Sequence, residues 1–259
     1  MEAVLQYRHV SIQYGSKPVI DNVSFAVHPG EMVGIIGSSG SGKSTLLKGA
    51  MHLLGQSGGI THGDIWLQGQ SLLEKTDKER QALYGSVIAM IFQDGNMTFA
   101  PMRTIGSQIS EALAVHQGLT ASQAKQKALA LFETVALPDG DAVWRSYPFM
   151  LSGGMLQRAA IVLAMLLQPA VLLADEPTSS LDVCAQQDVL QALHCLQQET
   201  GTAIVFVTHD MAVIRAVANT VLVLQQGRCI EQGPVQQMME QPRQAYTKAL
   251  IQAMPTWER

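Results

Sequence analysis

The residues MVGIIGSSGSGKSTLLKGAMHLL, 32–54, constrain the fold more strongly than any other stretch of the chain. The apolar run MVGII predicts a buried strand, and KSTLLKGAMHLL predicts a helix. Between them lies GSSGSGKS, residues 37–44, a glycine-rich loop that opens directly into the helix. A strand, a loop of this composition and a helix in this order are what a phosphate-binding P-loop requires, whereas a chance glycine-rich turn needs neither neighbour.

The residue types in this loop suit phosphate chemistry. Glycines let the backbone bend so that successive N–H groups surround phosphate oxygens, and the N-terminus of the helix adds positive potential. We expect Lys43 to reach the β- and γ-phosphates of a nucleotide and Ser44 to hold Mg²⁺.

The remaining pattern predicts one α/β domain that carries a β layer and a helical lobe. The first 75 residues consist mainly of short strands and turns, with a glycine-rich turn at 57–63. A helical insertion runs from about Thr104 to Gln168, and TASQ at 120–123 fits a capping box. AVLLAD and AIVFVTHD, with a helical segment between them, are typical of buried parallel strands. VLVLQQGRCIEQG predicts a hairpin that turns at Gln226 and Gly227.

Composition excludes several classes of protein. Of the 259 residues 47% are hydrophobic and 15% are charged, so the chain can bury a core and is not intrinsically disordered. The 17 Lys and Arg residues are scattered, which predicts no nucleic-acid partner. The longest apolar run, 159–167, is too short to span a bilayer, and MEAVLQYRHV has no signal-peptide pattern. We expect a soluble chain in a reducing compartment, with its three cysteines as packing residues and any membrane role mediated by another subunit.

Polar residues end several of the apolar runs. Asp175 and Glu176 end the strand AVLLAD, where carboxylates can meet a nucleotide at the edge of a parallel sheet. Because neighbouring strand residues point in opposite directions, one carboxylate can serve Mg²⁺ while the other addresses an attacking water. His209 follows AIVFVT and Gln93 follows VIAMIF, although each type of residue alone is usually structural. Tyr14 suits either stacking on a base or packing in the β layer.

The octet LSGGMLQR, residues 151–158, has no obvious catalytic group. Ser152 is a suitable N-cap, the two glycines leave backbone N–H groups exposed, and MLQRAAIVLAMLL is apolar enough for a buried helix. The octet therefore predicts either a second anion-binding helix start or an ordinary capped helix.

Taken together, these motifs resemble the nucleotide-binding domain of ABC ATPases over nearly the whole chain. The matching elements are the Walker A loop 37–44, the Q-loop residue Gln93, the signature 151–158, VLLADE as Walker B, the D-loop SSLD at 179–182 and the switch histidine His209. The resemblance implies an α/β fold: a RecA-like P-loop NTPase core with an N-terminal antiparallel β layer and an inserted helical lobe. It implies a nucleotide-binding domain over residues 1–240, a lobe at about 95–168 and a short helical tail at 241–259.

The same resemblance implies that two such domains pack head to tail and hydrolyse ATP with Mg²⁺. Each signature then covers the γ-phosphate held by the other P-loop. Glu176 is implied as the general base and His209 as a catalytic contact to the γ-phosphate, while Ser44, Gln93 and Asp175 are implied at Mg²⁺. Tyr14 is implied to stack on adenine, and Asp182 to couple the two sites. The implied nucleotide-contacting set is Tyr14, Gly37, Ser38, Ser39, Gly40, Ser41, Gly42, Lys43, Ser44, Thr45, Gln93, Ser152, Gly153, Gly154 and Asp182.

Within the family the chain looks like the peptide and nickel importer branch. YPFMLSGGMLQR, DEPTSSLDVCAQ and the tail QPRQAYTKALIQAMP carry this likeness, although Gln244 and Ala245 stand where a His-Pro pair usually occurs. Many peptide-importing relatives have a four-cysteine cluster near the C-terminus, whereas this chain has no cysteine after Cys229. That difference and the residues GGMLQR, 153–158, favour nickel or metal-chelate import over peptide import. A third alternative is a soluble ABC ATPase of an enzyme complex, as in phosphonate breakdown.

The branch also implies the partners. We expect a second ATPase subunit that is a related but different chain, two membrane permease subunits and, indirectly, an extracytoplasmic substrate-binding protein. The expected location is peripheral, at the cytoplasmic face of the bacterial inner membrane.

Overall fold

A computed structural model describes residues 2–179 and 181–254, and the side chains of residues 96, 183 and 184 are not described. The chain divides into two compact units. Unit 1 comprises Met1–Gln81 and Ala203–Arg259, and unit 2 comprises Ala82–Thr202. Of the predicted tail at 241–259, residues 255–259 lie outside the described part.

The strands in chain order are β1 (Leu5–Tyr14), β2 (Lys17–Val27), β3 (Met32–Ile36), β4 (Gly58–Leu67), β5 (Gln70–Ser71), β6 (Ile88–Ile91), β7 (Val171–Asp175), β8 (Ala203–Thr208), β9 (Thr220–Gln225) and β10 (Arg228–Pro234). The α-helices are α1 (Lys43–Ala50), α2 (Asp77–Leu83), α3 (Ile105–Gln117), α4 (Ala121–Thr134), α5 (Gly140–Arg145), α6 (Gly153–Leu167), α7 (Val183–Thr200), α8 (Met211–Val217), α9 (Val235–Glu240) and α10 (Ala245–Gln252). Short 3₁₀ turns lie at Gly95–Met97 and Pro148–Met150.

Unit 1 contains an antiparallel layer, as the family resemblance implies, and its strand order is β2-β1-β4-β5. In β1 the buried positions alternate up to Tyr7 and resume at Val10. Two residues of β1, His9 and Val10, lie opposite the single Gly63 of β4, which is a β-bulge. The extra residue returns Val10 and Ile12 to the buried face, because side-chain direction in a strand has a period of two.

The prediction of a turn at 57–63 is wrong. Residues from Gly58 onward form the first half of β4 and pair with the end of β1. Glycine is needed at position 63 because its backbone has a φ of +76° and an added Cβ would lie 2.3 Å from the carbonyl oxygens of both Arg8 and His9. The glycines that suggest a turn thus allow close contact between two strands.

Unit 1 also contains the strand order β10-β9-β3-β8. Strand β3 pairs in parallel with both β8 and β9, and all five of its residues are buried. Strand β10 returns antiparallel to β9 through a turn in which Gln226 and Gly227 have φ values of 49° and 80°. The predicted hairpin is therefore confirmed, with the left-handed backbone that two-residue hairpin turns require.

Unit 2 contains the parallel pair β6 and β7 together with helices α3 to α7. Thr104 caps α3 and Gln168 ends α6, so the predicted helical stretch is confirmed. The predicted capping box is also present, because Thr120 and Gln123 each accept from the other's backbone N–H. Helix α2 is missing from the sequence prediction because none of its residues is buried, which leaves no apolar period to detect. No helix in the described part of the chain is long and apolar enough to cross a membrane.

The bulge in β1 predicts a measurable difference between two glycines. Gly63→Ala should lower the free energy of unfolding by about 2–4 kcal/mol, because it adds a collision with two backbone carbonyls to the cost of a left-handed backbone. Gly15→Ala is the matched control: φ is also positive, at +56°, but nothing lies within 4 Å of an added Cβ, so only about 1–2 kcal/mol should be lost. Urea unfolding followed by circular dichroism checks both, and equal losses would contradict the bulge.

Candidate functional site

The glycine-rich loop 37–44 connects β3 to α1 in unit 1. An added Cβ at Gly37 would lie 2.2 Å from the carbonyl oxygen of Leu224 and 2.7 Å from Oγ of Ser41, so the loop lies directly against strand β9. Gly42, the N-cap of α1, has a φ of +101°, a backbone angle that residues with a side chain rarely adopt. The glycines at these two positions are therefore required by close approach and by backbone angle, respectively.

The loop concentrates buried polar groups at the start of α1. Lys43 is 6% exposed, and its Nζ donates to the carbonyl oxygens of Gly37 at 2.8 Å and Ser38 at 3.0 Å. Ser41 is 3% exposed, and its Oγ has no hydrogen-bond partner among the described residues. No side chain within those residues caps the start of α1. A buried ammonium, an unsatisfied hydroxyl and an uncapped helix start form a cradle whose chemistry fits a phosphate group.

Residues from distant parts of unit 1 support the loop from outside. The N–H of Gly227, in the β9–β10 turn, donates to the carbonyl of Ser41 at 3.0 Å. The N–H of Ser38 donates to the hydroxyl of Tyr246 in α10 at 2.8 Å. Sequence reasoning missed Tyr246 because 208 positions separate it from Ser38, and no local pattern signals such a contact.

His209 lies at the same sheet edge as the loop. Strands β3 and β8 are parallel neighbours with Ile36 opposite Thr208, so Gly37 and His209 each follow the last residue of a paired strand. His209 is exposed at this edge, and Asp210 caps the following helix α8. The structure therefore brings His209 and the P-loop, both predicted as site residues, to one edge of unit 1.

Tyr14 is the last residue of β1 and pairs with Lys17 and Gly58. An added Cβ at Gly58 would lie 2.7 Å from Cε1 of Tyr14, so the ring lies over the backbone of β4. The side chain is half-buried. Tyr14 thus packs in the β layer and keeps part of its ring accessible, so both sequence alternatives are compatible with its position.

In unit 2 the ends of β6 and β7 bring two predicted residues together. Ile91 lies opposite Ala174 in the parallel register, and two residues further along Nε2 of Gln93 donates to Oε2 of Glu176 at 3.4 Å. Asp175 is 5% exposed, whereas Glu176 is more accessible, as expected for neighbours that point in different directions.

Glu176 has an unusual backbone. Its φ is 45°, in the left-handed region that residues other than glycine rarely adopt. The backbone N–H and Oγ of Ser179 both donate to the carbonyl of Glu176, at 3.2 and 3.1 Å, and hold this turn. Such strain is common at functional positions, where the surrounding structure maintains it.

The octet 151–158 forms the start of helix α6. Ser152 is the N-cap and accepts from the N–H of Met155 at 3.3 Å, while Gly153 has nothing within 4 Å of an added Cβ. The helix is therefore capped in the ordinary way, with open space at its first residue. The second sequence alternative, that this helix start also binds an anion, stays a prediction.

Gln157 is a site residue that sequence reasoning did not single out. Its side chain is fully buried, and Nε2 donates to the carbonyl oxygens of Phe92 at 3.0 Å and Pro177 at 3.3 Å. Gln157 thus joins the start of α6 to the segments that carry Gln93 and Glu176. A lone polar residue on the apolar face of a predicted helix is the signal that could have indicated this contact.

Asp182 caps helix α7, because its Oδ1 accepts from the N–H of Ala185 at 3.0 Å. In the predicted D-loop, 179–182, residue Ser180 lies outside the described part of the chain. The structure thus shows a capping role for Asp182, and its predicted role between two sites is a separate proposal.

The chain is similar to known ATP-binding proteins in sequence and in fold. The model of the ABC transporter family matches residues 20–179. The dipeptide transport ATP-binding protein DppD of Escherichia coli K12 is 38% identical over 257 residues, which cover 98% of this chain and 79% of that protein. The glutathione import ATP-binding protein GsiA of Salmonella typhimurium is 40% identical over 242 residues, covering 91% of this chain and 39% of that longer protein.

Among solved structures, the dimeric bacterial ABC transporter cassette MJ0796 aligns with a TM-score of 0.79 and 27% identity, over 89% of this chain and 98% of that chain. The same cassette has been solved in a post-hydrolysis state bound to ADP and Pi. The predicted α/β P-loop fold and the predicted ABC-type ATPase are thereby confirmed. By sequence and by fold, this chain belongs to the ABC transporter family as one of its ATP-binding domains.

Proposed function

We propose that this chain is the ATP-hydrolysing subunit of a bacterial ABC importer for di- or oligopeptides. The observation that carries this proposal is the 38% identity, over 98% of the chain, to a dipeptide transport ATP-binding protein. GsiA, at 40% identity, is named for import of glutathione, which is itself a small peptide. The shared chemistry of these two substrates is a short peptide backbone.

The preference for nickel or a metal chelate is not supported by these relatives and is replaced by the peptide alternative. That preference rested on the residue run GGMLQR and on the lack of cysteine after Cys229. The residues GGMLQR, 153–158, form the start of helix α6 and belong to the signature motif. Motifs that act on a nucleotide carry little information about the cargo.

The nucleotide site is proposed from the cradle in unit 1. The backbone of residues 37–45 would surround the phosphates, with Lys43 as the neutralising charge and His209 as a contact to the γ-phosphate from the same sheet edge. Tyr14 would stack on adenine through the accessible part of its ring. Binding energy at the phosphates would come mainly from backbone N–H groups, which the glycines leave uncovered.

Mg²⁺ is proposed to bind oxygens of Ser44, Gln93 and Asp175, a hard donor set of hydroxyl, amide and carboxylate that suits this ion. When bound, Mg²⁺ would supply positive charge to the phosphate oxygens.

Glu176 is proposed as the general base. It would take the proton of a water molecule while that oxygen bonds to the γ-phosphorus and the bond to the bridging oxygen breaks, releasing ADP and phosphate. The hydrogen bond from Gln93 would hold the carboxylate in place.

The proposed assembly contains a second, related ATPase chain and two permease subunits at the cytoplasmic face of the inner membrane, with an extracytoplasmic receptor acting indirectly. Ser152, Gly153 and Gly154 would cover the γ-phosphate held by the partner ATPase, and Asp182 would link the two sites. The open space at Gly153 supports this role, since a phosphate-covering helix start needs room for its ligand.

Glu176→Gln tests the proposed base. The variant should keep ATP binding and lose hydrolysis by about 10²- to 10⁴-fold, because an amide cannot accept the proton. Size-exclusion chromatography of the purified ATPase pair with ATP should then show a stable closed dimer. Glu199→Gln, an exposed change on α7, is the matched control and should hydrolyse ATP normally. Rapid turnover in Glu176→Gln would refute the assignment.

Ser152→Trp tests the proposed action of the octet on the partner's nucleotide. ATP binding at the P-loop should be nearly unchanged, whereas hydrolysis by the pair should fall about 10²-fold or more, because the indole fills the space over the partner's phosphate. Thr120→Trp removes the N-cap of α4 at a similar stability cost of about 1 kcal/mol and should leave turnover intact. Equal loss of ATP binding and hydrolysis in Ser152→Trp would contradict the proposal.

The cargo is tested by uptake in a deletion strain. Cells that lack this chain should lose uptake of a radiolabelled dipeptide and keep uptake of radiolabelled nickel, and Glu176→Gln should fail to restore dipeptide uptake. Loss of nickel uptake with normal dipeptide uptake would contradict the peptide proposal. Purification as a detergent-free enzyme complex, without permeases, would contradict the transport role itself.

A further inference from the structure

The C-terminal helix α10 contacts the P-loop through one hydroxyl. The oxygen of Tyr246 accepts the backbone N–H of Ser38, the second residue of the loop, at 2.8 Å. Ser38 is exposed and Tyr246 is half-buried, so this bond lies at the surface of unit 1. The contact joins the last described helix of the chain to its proposed phosphate cradle.

The peptide groups of Ser38 are central to the order of the loop. The carbonyl oxygen of Ser38 accepts from Nζ of Lys43 at 3.0 Å and from the N–H of Ser41 at 3.2 Å. Its N–H, on the opposite side of the residue, is held by Tyr246. Tyr246 therefore restrains the same residue whose carbonyl positions the buried ammonium group.

The position of Tyr246 is itself fixed by strand β10. The carboxylate of Glu231 accepts the N–H groups of Arg243 at 2.8 Å and Gln244 at 3.1 Å, immediately before α10 begins. A negative charge at this end also favours the helix. Desolvation alone would raise the pKa of the Glu231 carboxyl group, but hydrogen bonds that include these two outweigh it and hold the pKa below its ordinary value. Thr247, next to Tyr246, is fully buried in the first turn of α10.

We propose that Tyr246 is a positioning residue for nucleotide binding, acting through the peptide of Ser38. This inference rests on the proposed function, in which the P-loop binds ATP. A glycine-rich loop that is ordered before its ligand arrives loses less conformational entropy on binding, so restraints made in the free protein raise affinity. Because Ser38 is exposed, water replaces the lost partner when the hydroxyl is removed, and the effect falls on loop order rather than on folding.

Tyr246→Phe in the full chain tests the proposal by calorimetric titration with ATP and Mg²⁺. The variant should bind ATP about three- to tenfold more weakly, the size expected for one net hydrogen bond. In the assembled ATPase pair the KM for ATP should rise with kcat unchanged. Hydrogen–deuterium exchange of the peptide covering 37–42 should be faster, and the melting temperature should stay within about 1 °C of the wild type.

Tyr147→Phe is the matched control, since it also removes one phenol oxygen. Tyr147 stacks on Phe149 with ring centroids 5.5 Å apart, and its hydroxyl makes no hydrogen bond within the described residues. This variant should bind ATP as the wild type does. Unchanged or tighter ATP binding in Tyr246→Phe, or a weaker binding matched by an equal loss in Tyr147→Phe, would overturn the inference. Failure of the wild type itself to bind ATP would instead overturn the proposed function.

Discussion

The close contact between the glycine-rich loop and strand β9 is the constraint on which unit 1 depends. Leu224 presents its carbonyl oxygen where a side chain at position 37 would have to be, so the loop can lie against the sheet only with glycine there. The turn that follows β9 then binds the loop again, through the N–H of Gly227 and the carbonyl of Ser41. A loop made mostly of glycine and serine is thereby ordered by backbone contacts from another part of the chain.

In unit 2, side-chain hydrogen bonds order the segments that follow the parallel strands. Glu176, whose backbone is in the left-handed region, accepts a hydrogen bond from Gln93. Gln157 connects the segments that carry both residues to helix α6. The Nε2 of this fully buried amide binds two carbonyls and so specifies a local arrangement that apolar packing alone does not, while its Oε1 has no hydrogen-bond partner among the described residues. In the proposed mechanism, the hydrogen bonds of Gln157 therefore connect the segment of the general base, Glu176, with helix α6 within unit 2.

Much of the fold was predictable because its signals are local. The buried strands β3, β7 and β8 are uninterrupted apolar runs, the caps at Thr104 and Thr120 are short motifs, and the hairpin turn has its glycine. The bulge of β1 was not predictable, since it arises from contact between two strands. The predicted preference for nickel or a metal chelate is not supported by the relatives, which are named for import of a dipeptide and of glutathione. Residues that indicate the importer branch do not by themselves identify the transported molecule.

The sequence by itself determined the strand, loop and helix of the P-loop, the carboxylates at the end of β7 and the family to which the chain belongs. Each of these depends on residue types at short fixed spacings. Only the tertiary structure decided that Tyr246 holds Ser38, that Gln157 joins three segments and that His209 shares a sheet edge with the loop. These contacts join residues far apart in the chain. Their geometry follows from strand register and helix packing, which no short stretch of residues encodes.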